Sequence, residues 1–181
     1  MKPSLPLRKL TVSALFLALG VALPLAFHFL GIAGRVFLPM HWAVVIGGCL
    51  LGPWWGALIG LLCPAMNFLV SGFPRFPSLL LMTPEMLTYG FLAGLLVTRW
   101  GYTSYWQGMA ALLPALIGGR LVYGIAAMVF GPLVLGINQP LVYIGGALAS
   151  GIPGVVMMLV LVPAVVLRIQ TAMPQMFSKG N

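Results

Sequence analysis

Acidic residues are almost missing from this chain: Glu85 is the only Asp or Glu among 181 residues, against nine Lys and Arg. Charge of any sign is scarce, at 6% of residues, while 61% are hydrophobic and the mean hydropathy is +1.11. That leaves too little polar surface to coat a water-soluble domain of this size, so the chain is an integral membrane protein. The net charge is +8, yet Lys2, Arg8, Lys9, Arg168 and Lys179 sit at the two ends beside apolar runs. This spread suits anchoring to anionic headgroups rather than a nucleic-acid face. Cysteine is nearly lacking too. Cys49 and Cys63 fall in apolar runs with no metal-ligand spacing and read as small buried residues. No GxxxxGK(S/T) motif occurs, so any ATP chemistry is borrowed from another chain.

What is present is a series of apolar runs punctuated by Gly and Pro. A spanning helix needs about 20 apolar residues, and bundles in lipid tolerate internal Gly and Pro. The first run follows Arg8-Lys9 as a signal peptide would, but it continues to Leu30 and further spans follow, so it reads as a retained helix one, Leu10 to Leu30. Turn signals then divide the chain into helix two (Phe37 to Leu51), helix three (Trp54 to Val70), helix four (Ser78 to Thr98), helix five (Gln107 to Phe130) and helix six (Leu141 to Arg168). The expectation is an all-α polytopic membrane protein, a bundle of six transmembrane helices forming one domain over residues 1–181.

Six spans put both termini on one side. With the termini inside, the inner segments carry Lys2, Arg8, Lys9, Arg99, Arg168 and Lys179, and the outer loops carry only Arg35 and Arg75. The positive-inside bias therefore predicts cytoplasmic termini. Trp100, Tyr102, Tyr105 and Trp106 then make an inner aromatic belt, and the loops near Arg35, Arg75 and Asn138 face outward.

Small residues recur at helical spacing. The pairs Gly48/Gly52, Gly56/Gly60 and Gly90/Gly94 are GxxxG spacings and read as packing contacts. Ala14, Ala18 and Ala22 line one groove of helix one at i, i+4, i+8. That groove accepts either another helix of this chain or a helix of a partner.

Glu85 marks the candidate site, because a carboxylate in hydrocarbon is costly unless it is paired or faces a protein-lined cavity. It lies roughly 10 Å inside helix four, and Arg120 roughly 15 Å inside helix five, at about 1.5 Å per residue. These depths allow direct pairing. Met82, Glu85 and Tyr89 share one helical face, and Leu116, Arg120 and Tyr123 share another. His41 and Trp42 in the first outer loop, Asn67 in helix three and Asn138 with Gln139 in the last outer loop could close the same pocket. The competing reading is a structural ion pair with no ligand. His28 reads as an interfacial histidine, and Met40-His41 has no second ligand beside it for a soft metal.

The chain resembles the substrate-binding S components of energy-coupling factor (ECF) vitamin transporters. The resemblance rests on the basic amino terminus, the six helices and the run Ala14-Leu15-Phe16-Leu17-Ala18, which is similar to that family's AxxxA coupling motif. Leu38-Pro39-Met40-His41-Trp42, Leu50-Leu51-Gly52-Pro53-Trp54-Trp55-Gly56-Ala57 and Ser71-Gly72-Phe73-Pro74 resemble segments of a folate- and pantothenate-like branch. The resemblance implies a multi-pass cell-membrane protein that captures a vitamin or vitamin precursor from outside. It further implies a membrane scaffold subunit docked on the Ala14/Ala18 face, two ATPase subunits that use ATP in its place, and a ligand held by helices four to six under outer loops one, three and five.

One carboxylate, one guanidinium and several aromatic rings suit a flat heterocycle with hydrogen-bond donors, and Arg120 could hold an acidic tail if Glu85 is otherwise engaged. Two other functions fit the residues: a small intramembrane enzyme using Glu85 with His41 or His28 as acid and base, and a scaffold subunit with no ligand.

Overall fold

Proline and glycine set the element boundaries. The computed structural model describes residues 5–30, 34–134 and 136–173, with all their side chains except those of residues 5, 6, 34, 35 and 134. Lys2, Lys179 and the Arg35 side chain, which enter the charge count, lie outside the described residues. The helices are α1 (Leu5–Phe29), α2 (Gly34–Phe37), α3 (Pro39–Leu51), α4 (Pro53–Ser71), α5 (Ser78–Trp100), α6 (Tyr105–Val134) and α7 (Pro140–Ala172). Pro39, Pro53 and Pro140 open α3, α4 and α7, where the missing N–H costs nothing. Gly52, Gly72 and Gly101 end α3, α4 and α5 at φ 94°, 72° and 80°, a region that side chains disfavour.

Five helices, α1, α4, α5, α6 and α7, are long and apolar enough to cross a membrane. The expected second span, Phe37 to Leu51, is not one long helix. Leu38 stands at φ 53° and is followed by Pro39, so the chain breaks there into the four-residue α2 and the 13-residue α3. At about 1.5 Å per residue α3 rises about 20 Å, less than the ~30 Å hydrocarbon core, but it runs antiparallel to α1, with Ala43 beside Gly20 and Gly47 beside Phe16, and so still carries the chain from one end of the bundle to the other. Nearly all of it is buried, so it serves as the core helix of the bundle.

The centre of the bundle is α3 against α5. Helix α5 also packs on α4 and α6, α3 touches α1, α4 and α7, and α7 closes on α6 and α2. Small residues permit this density. A Cβ on Gly48 or Gly56 would fall on the Gly90 carbonyl, one on Gly60 would fall on the Met86 carbonyl, and one on Gly94 would strike the backbone at Gly52 and Pro53. The three GxxxG pairs thus interlock α3, α4 and α5 backbone to backbone, the packing role that their spacing suggests.

Helix α1 packs on α3 and α4 through Ser13, Phe16 and Gly20, which are buried, while Ala14, Ala18 and Ala22 are exposed. The small-residue groove is therefore left open by the described residues of this chain. At the far end of the bundle the aromatic connector splits by environment. Trp100 and Trp106 are exposed, Tyr102 turns inward, and the Tyr105 hydroxyl donates to the Val160 carbonyl at 3.0 Å.

Candidate functional site

Glu85 and Tyr89 are one turn apart on α5, so their side chains leave the helix in the same direction. The Tyr89 hydroxyl donates to Glu85 Oε1 at 3.1 Å. Arg120, near the middle of α6, donates from Nη1 to the same oxygen at 2.9 Å. The carboxylate is 1% exposed and the guanidinium 16%. The depth argument therefore anticipates a contact that the structure contains, a charge-assisted bond between two spanning helices.

His41 completes the group. It lies in the first turn of α3, not in an outer loop, and its ring stands 5.5 Å from that of Tyr89 in an edge-on arrangement. Its Nε2 is 4.0 Å from Glu85 Oε1, too far for a hydrogen bond. Among the described residues, both ring nitrogens of His41 are buried without a hydrogen-bond partner, and so is Arg120 Nη2. Buried polar atoms are ordinarily satisfied, so three orphans around one ion pair make this cluster the candidate site.

Glycines shape it. A Cβ on Gly119 would strike the Tyr89 ring, and one on Gly151 of α7 would meet Arg120 Nη2 at 2.5 Å and the Leu38 side chain at 3.5 Å. The unpartnered Nη2 thus lies against α7 at Gly151, beside which the side chain of Leu38, the residue at the left-handed turn, also packs. That turn is held from the α3 side: the Trp42 indole Nε1 donates to the Phe37 carbonyl at 3.0 Å, and the His41 backbone N–H donates to the Leu38 carbonyl at 2.9 Å.

Sequence reasoning did not single out Gly119 or Gly151, and it named Leu38 only within the Leu38-Pro39-Met40-His41-Trp42 segment and not as a site residue. The two glycines carry no side-chain chemistry, and only the Leu38-Pro39 junction hints at a break.

The remaining expected residues are spread around this core. Trp42 stands in α3 beside His41, with its indole N–H committed to the turn. Asn67 is buried, but its amide joins three helices elsewhere: Nδ2 donates to the Gly20 carbonyl at 2.8 Å, the Cys63 carbonyl at 3.0 Å and Met40 Sδ at 3.3 Å. The bond to Gly20 has a local cause. Pro24 has no N–H with which to continue the helical ladder, so the Gly20 carbonyl needs an outside donor. Tyr123 is buried with Leu81, Ala126 and Ala127, beside Met82 and Tyr143, and Tyr143 in turn pairs with Ser78 Oγ at 3.0 Å. Asn138 is exposed in the connection between α6 and α7. His28, at the end of α1, stacks near Phe73 at 5.6 Å, and Arg75 covers the Phe73 ring at 4.9 Å.

Comparison with known families decides the class of this arrangement. Residues 8–166 match the family described as ECF transporter, substrate-specific component. The chain belongs to that family. No curated protein and no solved structure matches it significantly. As an ECF transporter substrate-specific component, the protein is a multi-pass subunit of the cell membrane whose family is a transport component and not an enzyme. The family assignment also implies a small-molecule substrate and partner subunits.

Proposed function

We propose that this substrate-specific component captures a vitamin or vitamin precursor, a small flat heterocycle, from outside the cell and holds it at Glu85, Arg120, His41 and Tyr89. The observation that carries the reading is the buried Arg120–Glu85 contact surrounded by unpartnered polar atoms, in a chain whose family binds transport substrates. Trp42 fixes the adjoining turn, Asn67 ties α3 to α1 and α4, and Tyr123 borders the site on α6. Asn138 lies in an outer loop that can cover it.

Delivery inward requires a membrane scaffold subunit docked on Ala14, Ala18 and Ala22 and powered by two separate ATPase subunits. The exposure of this stripe supports that assignment. Replacing Ala14 and Ala18 together with Leu is expected to abolish uptake in cells carrying the energising subunits while the purified protein keeps its ligand affinity. Unchanged uptake would remove the docking assignment, and equal loss of binding would mean a damaged fold.

The orientation that this reading needs has cytoplasmic termini, as the charge bias indicates. A cysteine placed at Arg75, which is exposed in the α4–α5 connection, should react with an impermeant thiol reagent added to intact cells, and one placed at Thr103 should not. Reversed labelling would put the α4–α5 loop in the cytoplasm and end the capture model.

A further inference from the structure

Around the Glu85–Arg120 pair, the described side chains offer unsatisfied hydrogen-bonding capacity without unsatisfied charge. The carboxylate oxygen Oε1 already receives Arg120 Nη1 and the Tyr89 hydroxyl. Among the described residues, the single acid of the chain is thereby paired with the guanidinium of Arg120. Three atoms are left over. Arg120 Nη2 is a donor, and the two nitrogens of a neutral His41 ring are one donor and one acceptor. Nη2 lies against Gly151, beside which the Leu38 side chain also packs, and His41, in the first turn of α3, stands by the same Glu85 oxygen as Arg120, so the orphans surround one ion pair.

We propose that this site selects a ligand of zero net charge, one that presents an acceptor to Arg120 Nη2 and a polar edge to the His41 ring. The inference rests on reading the site as the substrate site and adds the charge class to it. A neutral heterocycle with a carbonyl or ring nitrogen satisfies the orphans and leaves the local charge balance at zero. A carboxylate ligand would have to share one guanidinium with Glu85, placing two like charges against one another in a region of low polarity. A cationic ligand would face the like charge of the Arg120 guanidinium. The acidic tail that Arg120 could hold in principle is therefore excluded by the company that Arg120 keeps.

The test uses matched pairs that differ in one ionised group: nicotinamide with nicotinate, pantothenol with pantothenate, and benzimidazole with benzimidazole-5-carboxylate. Each is titrated into the purified wild-type protein in detergent, with thermal stabilisation as the readout, and the small molecules released by denaturing the same preparation are identified by mass spectrometry. The expected result is that, in every pair that stabilises the protein, the uncharged member binds about tenfold or more tightly than the acid. In Glu85→Gln, where Arg120 has lost its counter-charge, the acids should gain on their neutral partners. An acid that wins in the wild-type protein overturns the charge class and leaves the site standing. Where no probe stabilises the protein, the released molecule decides: an uncharged one supports the proposal and an ionised one overturns it. No stabilisation and no released molecule would overturn the reading of the site itself. A failure of Glu85→Gln to fold leaves the wild-type comparison decisive.

Discussion

Glu85→Gln should lower the melting temperature of the ligand-free protein, and adding Arg120→Gln should recover most of the loss while ligand binding does not recover. Gln keeps the volume of Glu and an oxygen that can still accept from Arg120 Nη1 and the Tyr89 hydroxyl, so the single change removes charge and little else. What remains is a guanidinium held between helices with no counter-ion. Breaking a buried pair from one side costs about 3–5 kcal/mol, because the cost is that of the stranded charge. Arg120→Gln alone strands the carboxylate, which then keeps only the Tyr89 hydroxyl, and a loss of the same order is expected. In the double variant two amides face each other with no charge to desolvate, so the two losses should not add. Affinity follows a different rule. Truncating one member of a buried charged contact weakens binding by about 2–5 kcal/mol. The double variant has also lost Nη2, so it has nothing to offer the ligand at that position. Thermal unfolding and ligand titration of the two singles and the double in detergent measure both quantities. Full-strength binding by a stable double variant would show that the pair is structural only, and single variants as stable as the wild type would show that the contact contributes nothing to the fold.

Gly90→Ala should prevent the protein from folding to a monodisperse species in detergent. The added Cβ would fall on the carbonyl carbon and oxygen of Gly56, which belong to backbone and cannot rotate away. Helix α5 would have to withdraw from α4, and the contacts of Gly48 and Gly60 with the same stretch of α5 would open with it. A loss of about 4 kcal/mol or more is expected, at the upper end of single substitutions. The same change at Gly124 or Gly145, each with nothing near its added Cβ, should be neutral or stabilise by up to about 1 kcal/mol, the helix-propensity gain of Ala over Gly. Thermal unfolding and size-exclusion profiles of the three variants make the comparison. A Gly90→Ala protein as stable as Gly124→Ala would refute the backbone contact between α4 and α5.

Membrane residence, the helical class and five of the spans were legible in the sequence, because lipid leaves a chain few options. Backbone groups in hydrocarbon must be satisfied within the segment, so an apolar run of sufficient length becomes a helix wherever it packs. Helices end where Gly and Pro make continuation costly, and the expected bounds of α4, α5 and α7 fall within a few residues of the observed ones. Glu85 and Arg120 were legible as charges at compatible depths, since a charge so deep needs company and the chain has a single acid to offer, but their direct contact is set by how α5 meets α6. The GxxxG pairs were legible as packing, although not which helices they join.

Tertiary structure decided the rest. Pro39 hints at the break in the Phe37–Leu51 run, but the turn at Leu38 is seated against α7, whose Gly154 lets the backbone at Val36 and Phe37 approach closely. Asn67 looked like a site residue because it is polar and deep. Its amide is instead drawn to the Gly20 carbonyl that Pro24 leaves open 47 residues away in sequence, a need that exists only once α1 and α4 lie side by side. The Ala14/Ala18/Ala22 groove was ambiguous from spacing alone, and its exposure follows from α1 turning Ser13, Phe16 and Gly20 inward. Composition and periodicity act within a helix and are fixed by the sequence near it. The choice of which polar atom meets which, and which face is left for a partner, is made between helices, where only the packed bundle sets the distances.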